Sequence, residues 1–472
     1  MSVSAVENRG ASNGRNPSAG GDLMEQFVAY VANARTAALP HEVVEKSKQH
    51  ILDTFAAMIS GSRLKPGQMA LKYARLCSGG PAEALVVGSD LVLPAVNTAL
   101  ANGMLAHADE TDDSGGGIHP GCVVLPAALA MAEREDASGA ELIRAVALGY
   151  DVGDRISDVL GRRAVRLRNH LSMGICGTMA ASAAAGCLAG LTDPEQFRYL
   201  FSYGAQQASG IATYPRDTEH VEKAFIFAGM GARNGVTAAT MVQAGFSGVR
   251  DVFTGEGNFF SAYCDHPKPE KLVDDLGKRY AMMTASIKKY SVGHPIQAPL
   301  DALLALMREH GLRAEHVERV SVRLPHLGAR TVNDREMPDI NLQYMCAVAL
   351  LDGDASFEAA HDVARMTEAR VLDLRSRITV IGDEEMTRKG PYYQAVVEVT
   401  LKTGKSVREH AVGYRGTPEN PLSLEEVETK ARALMAPVLG RGQSHELIEM
   451  VRRLETLPSC RELRPLLKVA LS

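Results

Sequence analysis

Ionisable side chains are concentrated in the stretch NGMLAHADETDDSGGGIHPG, residues 102–121. Four acids lie between Asp109 and Asp113, and His107 and His119 flank them. An imidazole beside a carboxylate can exchange protons near neutral pH, because the carboxylate orients the ring and stabilises its charged form. Three interpretations are open at this point: a metal site, a solvated acidic turn, or the acid–base floor of an active site that binds an anion.

The metal interpretation requires a ligand spacing that this stretch lacks. Loops that bind hard cations place oxygen ligands at alternate positions, and an H-E-x-x-H helix places two histidines four residues apart. We find neither spacing between His107 and His119. A solvated turn explains Asp112 to Gly117 but leaves the flanking histidines unexplained. We therefore predict that this stretch holds no metal.

Two histidine–proline pairs each precede a helical pattern. Pro120 suits the first turn of a helix, so His119 is expected at the N-terminus, where unpaired N–H groups and the helix dipole favour an anion. The same pairing recurs at His294-Pro295, with Lys289 five residues upstream. This recurrence favours an acid–base site that binds an anion.

His170 and Lys223 each stand where a polar stretch enters an apolar helical pattern. Either side chain could simply cap its helix. A lysine at the edge of a packed core is also a good clamp for a carboxylate, or a base whose pKa responds to burial. Both residues are therefore candidates for the same site.

The glycines of GMGARNG, residues 229–235, superficially resemble a phosphate-binding loop. Their spacing is one residue too long for G-x-G-x-x-G, no strand precedes them, and no acidic residue follows a second strand at the required distance of ~20 positions. Close helix packing explains these glycines better than nucleotide binding does.

The periodicity of apolar residues divides the chain that must position these candidates. Helical patterns dominate residues 22–279, where the pattern of residues 41–60 predicts a helix that Gly61 ends as its C-cap. Alternating patterns predict strands at 317–325, 376–383 and 395–401, the last continuing through KTGKS into a hairpin. The predicted fold is mainly α with an α+β second domain. Both chain ends (22–279 and 416–472) form a large all-helical domain, and residues 280–415 form a smaller inserted α+β lid domain.

Composition narrows the class of protein. A chain of 472 residues is longer than one typical core supports. A net charge of −5 without a long basic run predicts no nucleic-acid partner. Seven scattered cysteines without a C-x-x-C pair indicate buried thiols in a reducing compartment. Residues 1–21 are predicted to be a disordered tail without a signal-peptide core, and no apolar run reaches the ~20 residues of a membrane span. We expect a cytoplasmic protein with no membrane partner.

Five ordered motifs, from about Asp22 to the end, resemble the MmgE/PrpD family. The motifs are NGMLAHADETDDS…HPG, NHLSMGICGTMAASAAAGCLAGL, EKAFIFAGMGARNGVTAATMVQAGFSG, KKYSVGHPIQAPLDAL and NLQYMCAVALLDG. The resemblance implies a helical domain with a smaller α+β lid and a homodimer. It also implies activity on small polycarboxylates without a metal or organic cofactor: 2-methylcitrate dehydration, cis-aconitate decarboxylation or iminodisuccinate epimerisation.

The resemblance also assigns residues to the site by motif position. It implies active-site positions for His119, His170, Lys223, Lys289 and His294, and it places the first acid of the site at Asp109 or Glu110. We predict catalytic roles for His119, His170, Lys223 and Asp109, and substrate-binding roles for Lys289, His294, Glu110, Asp113 and Ser114. In this scheme the two lysines and His294 hold carboxylates, His119 and His170 supply an acid and a base, and an acid between Asp109 and Asp113 orients a histidine. The segment DETDDSGGGIHP is shorter than is common in the family and has Ser114 where threonine is common.

These inferences predict a metal-independent lyase of a small di- or tricarboxylate, with dehydration of a 2-hydroxy acid as first choice. Decarboxylation of a cis-aconitate-like acid and epimerisation of an iminodisuccinate-like acid require the same base, acid and clamps. A non-catalytic carboxylate-binding protein and a metal-dependent hydrolase are the alternatives from other classes.

Overall fold

The computed structural model of the protein describes residues 23–161 and 169–469, so the predicted tail, 1–21, lies outside the described residues. Buried apolar side chains form two main cores. The larger core joins residues 24–287 to residues 422–467, and the smaller one lies within residues 290–414. Both chain ends therefore build the larger core, and the predicted fold class, mainly α with an α+β second domain, is confirmed.

Helices form almost all of the larger domain. Its longer helices are Leu23–Asn33, His41–Gly61, Lys65–Leu76, Ala95–Ala106, Pro120–Arg134, Gly139–Leu160, Ser172–Leu188, Pro194–Gln207, Met230–Gln243, Leu424–Leu439 and Arg441–Arg452. Shorter helical segments are Tyr214–Arg216, Val221–Ala224, Phe225–Gly229, Phe259–Tyr263, Pro269–Leu272, Ala281–Thr284, Leu454–Thr456, Cys460–Leu463 and Arg464–Leu467. Within the described part of the chain, no helix has both the length and the apolar character needed to cross a membrane.

One small sheet departs from the all-helical prediction for this domain. Strand β1 (Ala84–Leu85) pairs antiparallel with β2 (Val92–Leu93). The apolar residues on both sides of a glycine turn allow this pairing, and the backbone N–H of Val86 donates to the carbonyl of Leu91 at 2.8 Å. The ladder is too short to give an alternating pattern in the sequence.

The helix His41–Gly61 is amphipathic as predicted, with Phe55 fully buried, but its end differs from the prediction. Helical geometry continues through Gly61, and Ser62 is the C-cap in a right-handed conformation. A Cβ at Gly61 would lie 2.1 Å from the carbonyl oxygen of Leu105. This glycine is therefore needed for the close approach of two helices and not for a left-handed cap.

The glycines of GMGARNG serve helix packing, as the sequence predicts. A Cβ at Gly229 would lie 2.8 Å from the carbonyl oxygen of Leu100, and one at Gly235 would lie 2.5 Å from the carbonyl carbon of Ala181. The consecutive helical segments Phe225–Gly229 and Met230–Gln243 thus each contact a neighbouring helix backbone to backbone.

The smaller domain contains a four-stranded mixed sheet covered by helices. The strands are β3 (Val317–Pro325), β4 (Ile378–Asp383), β5 (Gln394–Leu401) and β6 (Ser406–Val412), in the order β4-β3-β5-β6. Strand β3 is parallel to β4, with Val320 opposite Ile378, and antiparallel to β5, with Val320 opposite Val399. The longer helices of this domain are His294–His310, His326–Val332, Leu342–Asp352, Phe357–His361, Ala369–Ser376 and Glu384–Lys389, and its single turns are Ala314–His316, Pro338–Ile340 and Ala364–Thr367.

The segment 286–294 joins the two domains and runs beside the acidic loop of the larger one. Ser114 and Ser286 exchange two backbone hydrogen bonds, of 3.0 and 2.7 Å. Farther along, the hydroxyl oxygens of Thr111 and Ser291 lie 2.7 Å apart, within hydrogen-bond distance. These contacts bring side chains from both domains to one place.

Candidate active site

The loop between the helices Ala95–Ala106 and Pro120–Arg134 carries most of the candidate side chains. Asp113 anchors this loop, because its Oδ1 accepts from the backbone N–H of Gly121 at 2.8 Å. Its Oδ2 lies 2.5 Å from both the hydroxyl of Tyr150 and Nδ1 of His50. Since protein groups satisfy both oxygens, the structure gives Asp113, predicted to bind substrate, a structural role.

Asp112 lies between two histidines in the interior of this loop. Its Oδ2 accepts from Nδ1 of His119 at 3.1 Å, and its Oδ1 lies 3.0 Å from Nδ1 of His107. Burial alone would raise the pKa of Asp112, but the histidines and Lys288 hold it well below its usual range. An ionised Asp112 that accepts from Nδ1 leaves Nε2 of His119 available for proton exchange.

Two buried lysines converge on Glu110. The ammonium group of Lys223 forms an ion pair with Oε1 of Glu110. Lys288 donates to the Glu110 backbone carbonyl at 2.9 Å, and its Nζ lies 3.3 Å from Oε2. Burial would raise the pKa of Glu110, but the lysines outweigh this effect and lower it strongly. Burial would lower the pKa of Lys288, but Glu110 and Asp112 raise it above its usual value.

His294, the first residue of its helix, faces the same loop from the smaller domain. Its Nδ1 lies 2.8 Å from the hydroxyl of Ser114, and its Nε2 lies 2.6 Å from the hydroxyl of Tyr414. The ring stacks on Tyr393 with centroids 3.5 Å apart. Burial and the nearby Lys288 lower the pKa of His294 well below its usual range. The ring is therefore a neutral group at the edge of the cluster.

Asp109 faces the smaller domain and not the histidines of its own loop. Its oxygens accept from the backbone N–H and the hydroxyl of Thr111, at 2.9 and 2.6 Å. Its Oδ2 also lies 3.0 Å from Nε2 of His361. Burial would lower the pKa of His361, but Asp109 raises it to about 9. Burial raises the pKa of the neighbouring Asp339 to about 7. Asp109 thus links the two domains, and Asp112 takes the orienting role predicted for an acid of this loop.

The structure does not bring Lys289 and His170 into this cluster. Nζ of Lys289 lies 3.8 Å from a carboxylate oxygen of Asp301, and its side chain is 38% exposed. The ring of His170 packs edge-on against Tyr263, with centroids 5.3 Å apart. The lysine that reaches Glu110 is instead the preceding residue, Lys288.

A group of aromatic rings that pack on one another beside this cluster was also not predicted from the sequence. Phe227 stacks on His107 with centroids 4.7 Å apart and an interplanar angle of 9°. The ring of His220 lies 5.2 Å from that of His107, and both histidines are buried. Phe227 lies in the π-helical turn Phe225–Gly229, a rare element that often occurs at functional sites. His107 lies in the ionisable stretch 102–121, but the sequence carries no signal that identifies His220.

Among residues 23–161 and 169–469, two groups of side chains have the ligand types of a metal site. Their ligand atoms lie within 4.8 Å of one another, and the groups are His107, Asp112 and His119, and His107, Glu110 and His220. The two ammonium groups that contact Glu110 oppose a further cation by charge repulsion. The electrostatics therefore favour an anionic ligand over a metal ion.

The cluster combines the groups needed to bind a polyanion and move a proton. Its core members are His107, Glu110, Asp112, His119, His220, Lys223, Lys288 and His294, each at least nine-tenths buried. Cations in a buried site stabilise charge that develops on a carboxylate, because water does not screen them. The imidazole oriented by Asp112 supplies a proton donor or acceptor beside them.

Comparison with known proteins identifies the family of this chain. The family model of the MmgE/PrpD N-terminal domain matches residues 25–272, and that of the C-terminal domain matches residues 290–456. Among similar proteins are the cis-aconitate decarboxylases of Homo sapiens, 24% identical with 94% of both chains covered, and of Mus musculus, 24% identical with 94% of this chain and 93% of the relative covered. The cis-aconitate decarboxylase of Aspergillus terreus is 26% identical, with 93% of this chain and 94% of the relative covered. The chain therefore belongs to the MmgE/PrpD family and is an enzyme of the lyase class.

Proposed function

We propose that the protein decarboxylates cis-aconitate or a closely similar unsaturated tricarboxylate. The observation that carries this proposal is the convergence of Lys223 and Lys288 on Glu110, next to the pair formed by Asp112 and His119. The similar decarboxylases support this reaction over dehydration of a 2-hydroxy acid, which the sequence analysis placed first.

Decarboxylation of such a substrate needs a place for negative charge and one proton. In cis-aconitate, one carboxylate stands on a CH2 group attached to the double bond. When its C–C bond breaks, CO2 leaves and the electron pair forms a new double bond. The pair of the old double bond takes a proton at the carbon that bears the far carboxylate. One proton is consumed for each CO2 released.

The lysines match the binding requirement of this reaction. Lys223 and Lys288 together carry one more positive charge than Glu110 balances, and a substrate carboxylate binds by replacing Glu110 at Lys223. Charge that develops on the far carboxylate during CO2 loss is stabilised by the fixed ammonium groups.

His119 matches the requirement for a proton donor. Its hydrogen bond to Asp112 fixes the ring, and the ring delivers the proton to carbon from Nε2. His119 precedes the helix Pro120–Arg134, so the positive end of the helix dipole also lies beside the substrate.

The proposal is tested by proton NMR on the purified enzyme in D2O. We expect cis-aconitate to lose its vinyl signal and give a product with a new terminal CH2 group, deuterated at one carbon, with release of CO2. Citrate, 2-methylcitrate and iminodisuccinate serve as parallel substrates. Dehydration of citrate or 2-methylcitrate without turnover of cis-aconitate would show that the proposal is wrong.

A substitution at His119 distinguishes activity of this protein from activity of a contaminating enzyme. His119→Asn should lower turnover by about 10²-fold or more, because asparagine cannot deliver a proton. Activity that persists undiminished in this variant would remove His119 from the mechanism.

A further inference from the structure

His220 has a backbone conformation that histidine seldom adopts. Its φ is 61° and its ψ is 6°, in the left-handed region that is unfavourable for residues with a Cβ. It precedes the short helix Val221–Ala224, and its carbonyl accepts from the N–H of Ala224 at 3.0 Å. Strain of this kind persists where the surrounding structure imposes it, and it clusters at functional sites.

The buried side chain of His220 is a second energetically unfavourable feature of this residue. The residue is 4% exposed, and neither ring nitrogen has a hydrogen-bond partner among residues 23–161 and 169–469. Buried polar groups in proteins almost always have a partner, so an orphaned ring with two such atoms calls for an explanation. A ligand that hydrogen-bonds to the ring supplies one.

The neighbours of His220 identify what kind of ligand that is. One ring nitrogen lies within 4.8 Å of a Glu110 oxygen and of a His107 nitrogen, and Lys223 follows three residues later. Burial and Lys223 lower the pKa of His220 well below its usual range, so the ring is neutral and offers one N–H donor and one acceptor. In the structure, the group beside this ring is the carboxylate of Glu110.

We propose that His220 is a substrate-contacting residue whose ring N–H donates a hydrogen bond to the carboxylate that replaces Glu110 at Lys223. The inference rests on the proposed function and adds a residue to it. In this arrangement Lys223 supplies the charge that attracts the carboxylate. The imidazole donor adds direction, so that one carboxylate orientation is selected.

The test uses tricarballylate, a saturated tricarboxylate that lacks the double bond needed for decarboxylation. Its binding is measured by calorimetry, in EDTA, to the wild-type enzyme, His220→Asn and His220→Gly. Both replacements tolerate a positive φ, so they remove the ring without forcing the backbone. Asp275→Gly is the matched control, because Asp275 is exposed and also left-handed, with a φ of 48°.

We expect both His220 variants to bind tricarballylate about tenfold more weakly, the loss typical of one hydrogen bond to a charged group. Their melting temperatures should stay within about 3 °C of wild type, and Asp275→Gly should bind normally. Binding within about twofold of wild type in both His220 variants would overturn the inference.

Two further measurements separate the possible failures. Binding to wild type and to Lys223→Met tests the proposed function. If wild type binds no tricarballylate, both proposals fail. If Lys223→Met loses binding while the His220 variants bind normally, only the inference about His220 is overturned. In a parallel titration without EDTA, binding by wild type only after Zn²⁺ is added, and not by the His220 variants, would make His220 a metal ligand and would also overturn the inference.

A spectroscopic readout on the wild-type protein covers the case in which the variants unfold. With ¹⁵N-labelled histidine, the ring signals of His220 are those missing from a folded His220 variant. Where the variants unfold, they belong to the small set of rings with a lowered pKa, which also contains His107 and His294. Tricarballylate should shift these signals, because a new hydrogen bond changes the ring nitrogen that donates it. Histidine ring signals that all stay in place at saturation would overturn the inference.

Discussion

Oδ2 of Asp112 accepts a hydrogen bond from Nδ1 of His119 at 3.1 Å, in a part of the protein where the aspartate is fully buried. The next residue, Asp113, is also fully buried but contacts a tyrosine, a histidine and a backbone amide of the scaffold. Adjacent aspartates in one loop therefore do different work. One orients a histidine of the candidate site, and the other holds the loop in place.

This difference gives the first prediction. Asp112→Asn should lower kcat by about 10²-fold with little change in KM, because Asp112 contacts the histidine and not the substrate. Asp113→Asn should instead lower the free energy of unfolding by about 1–3 kcal/mol, since it weakens several buried hydrogen bonds. Steady-state kinetics and thermal melting of both variants check this. Equal effects of the two substitutions on kcat would contradict the assignment.

The adjacent lysines give the second prediction. Lys288→Met should weaken substrate binding and lower kcat/KM by about 10²-fold or more, because a buried carboxylate clamp is lost. Lys289→Met should change kcat/KM by less than about threefold, since Lys289 contacts Asp301 at the surface. Kinetics on both variants, with melting curves as a check on folding, decide between them. The reverse order of effects would restore Lys289, the lysine chosen from the sequence.

The third prediction concerns pH and the contact between the domains. Asp109 raises the pKa of His361 to about 9, so the folded state binds this proton more tightly than the unfolded chain, where the pKa is about 6.5. The resulting stability is complete below about pH 6.5 and is lost as the pH rises through about 9.

Melting curves at pH 6.5 and 9.5 check the linkage. The melting temperature of the wild-type protein should fall over this interval by more than that of His361→Gln, which cannot bind the proton. Subtracting the curve of the variant removes the contribution of other groups. Parallel falls in both proteins would contradict the link between Asp109 and His361.

The fourth prediction is that activity survives chelation. The lysines at Glu110 oppose a bound cation, although histidine and carboxylate ligand types are present. Dialysis against EDTA should leave kcat unchanged, and elemental analysis should find far less than one transition metal per chain. One tightly bound metal per chain, with activity lost on its removal and restored on its return, would contradict a metal-independent mechanism.

The fifth prediction is the homodimer that the family resemblance implies. Light scattering coupled to size exclusion should give about twice the chain mass of 50.6 kDa at micromolar concentration. A monomer throughout this range would contradict the predicted homodimer.

The helices and strands were predicted well where a regular pattern of apolar residues extends over many positions. Strand β3 has the predicted bounds, Val317–Pro325, and β4 and β5 begin within two residues of the predicted positions. The end of the second long helix was predicted less well, because Gly61 has the residue type of a C-cap but serves helix contact. Sequence alone cannot distinguish these roles, since each needs only the absence of a Cβ.

The site was predicted less completely than the fold. The structure brings four of the predicted residues into one cluster: His119, Glu110, Lys223 and His294. They could be chosen from the sequence because motif position and helix starts depend on local sequence. The choice between Lys288 and Lys289 was beyond the sequence. The segment that carries them has no regular secondary structure, so no periodicity shows which lysine is buried. The left-handed backbone at His220 leaves no trace in residue type either, since histidine is uncommon there.

The joining segment 286–294 has a consequence for how the enzyme is made. The contacts of Lys288 with Glu110 and of His294 with Ser114 span 178 and 180 positions of the chain. During synthesis at the ribosome, the acidic loop emerges long before the residues that neutralise it. Until the later half arrives, Glu110 lacks the Lys288 ammonium group, and a nascent chain has no complete site. We therefore expect a translation product that ends before residue 286 to be inactive, because it lacks the Lys288 and His294 side chains.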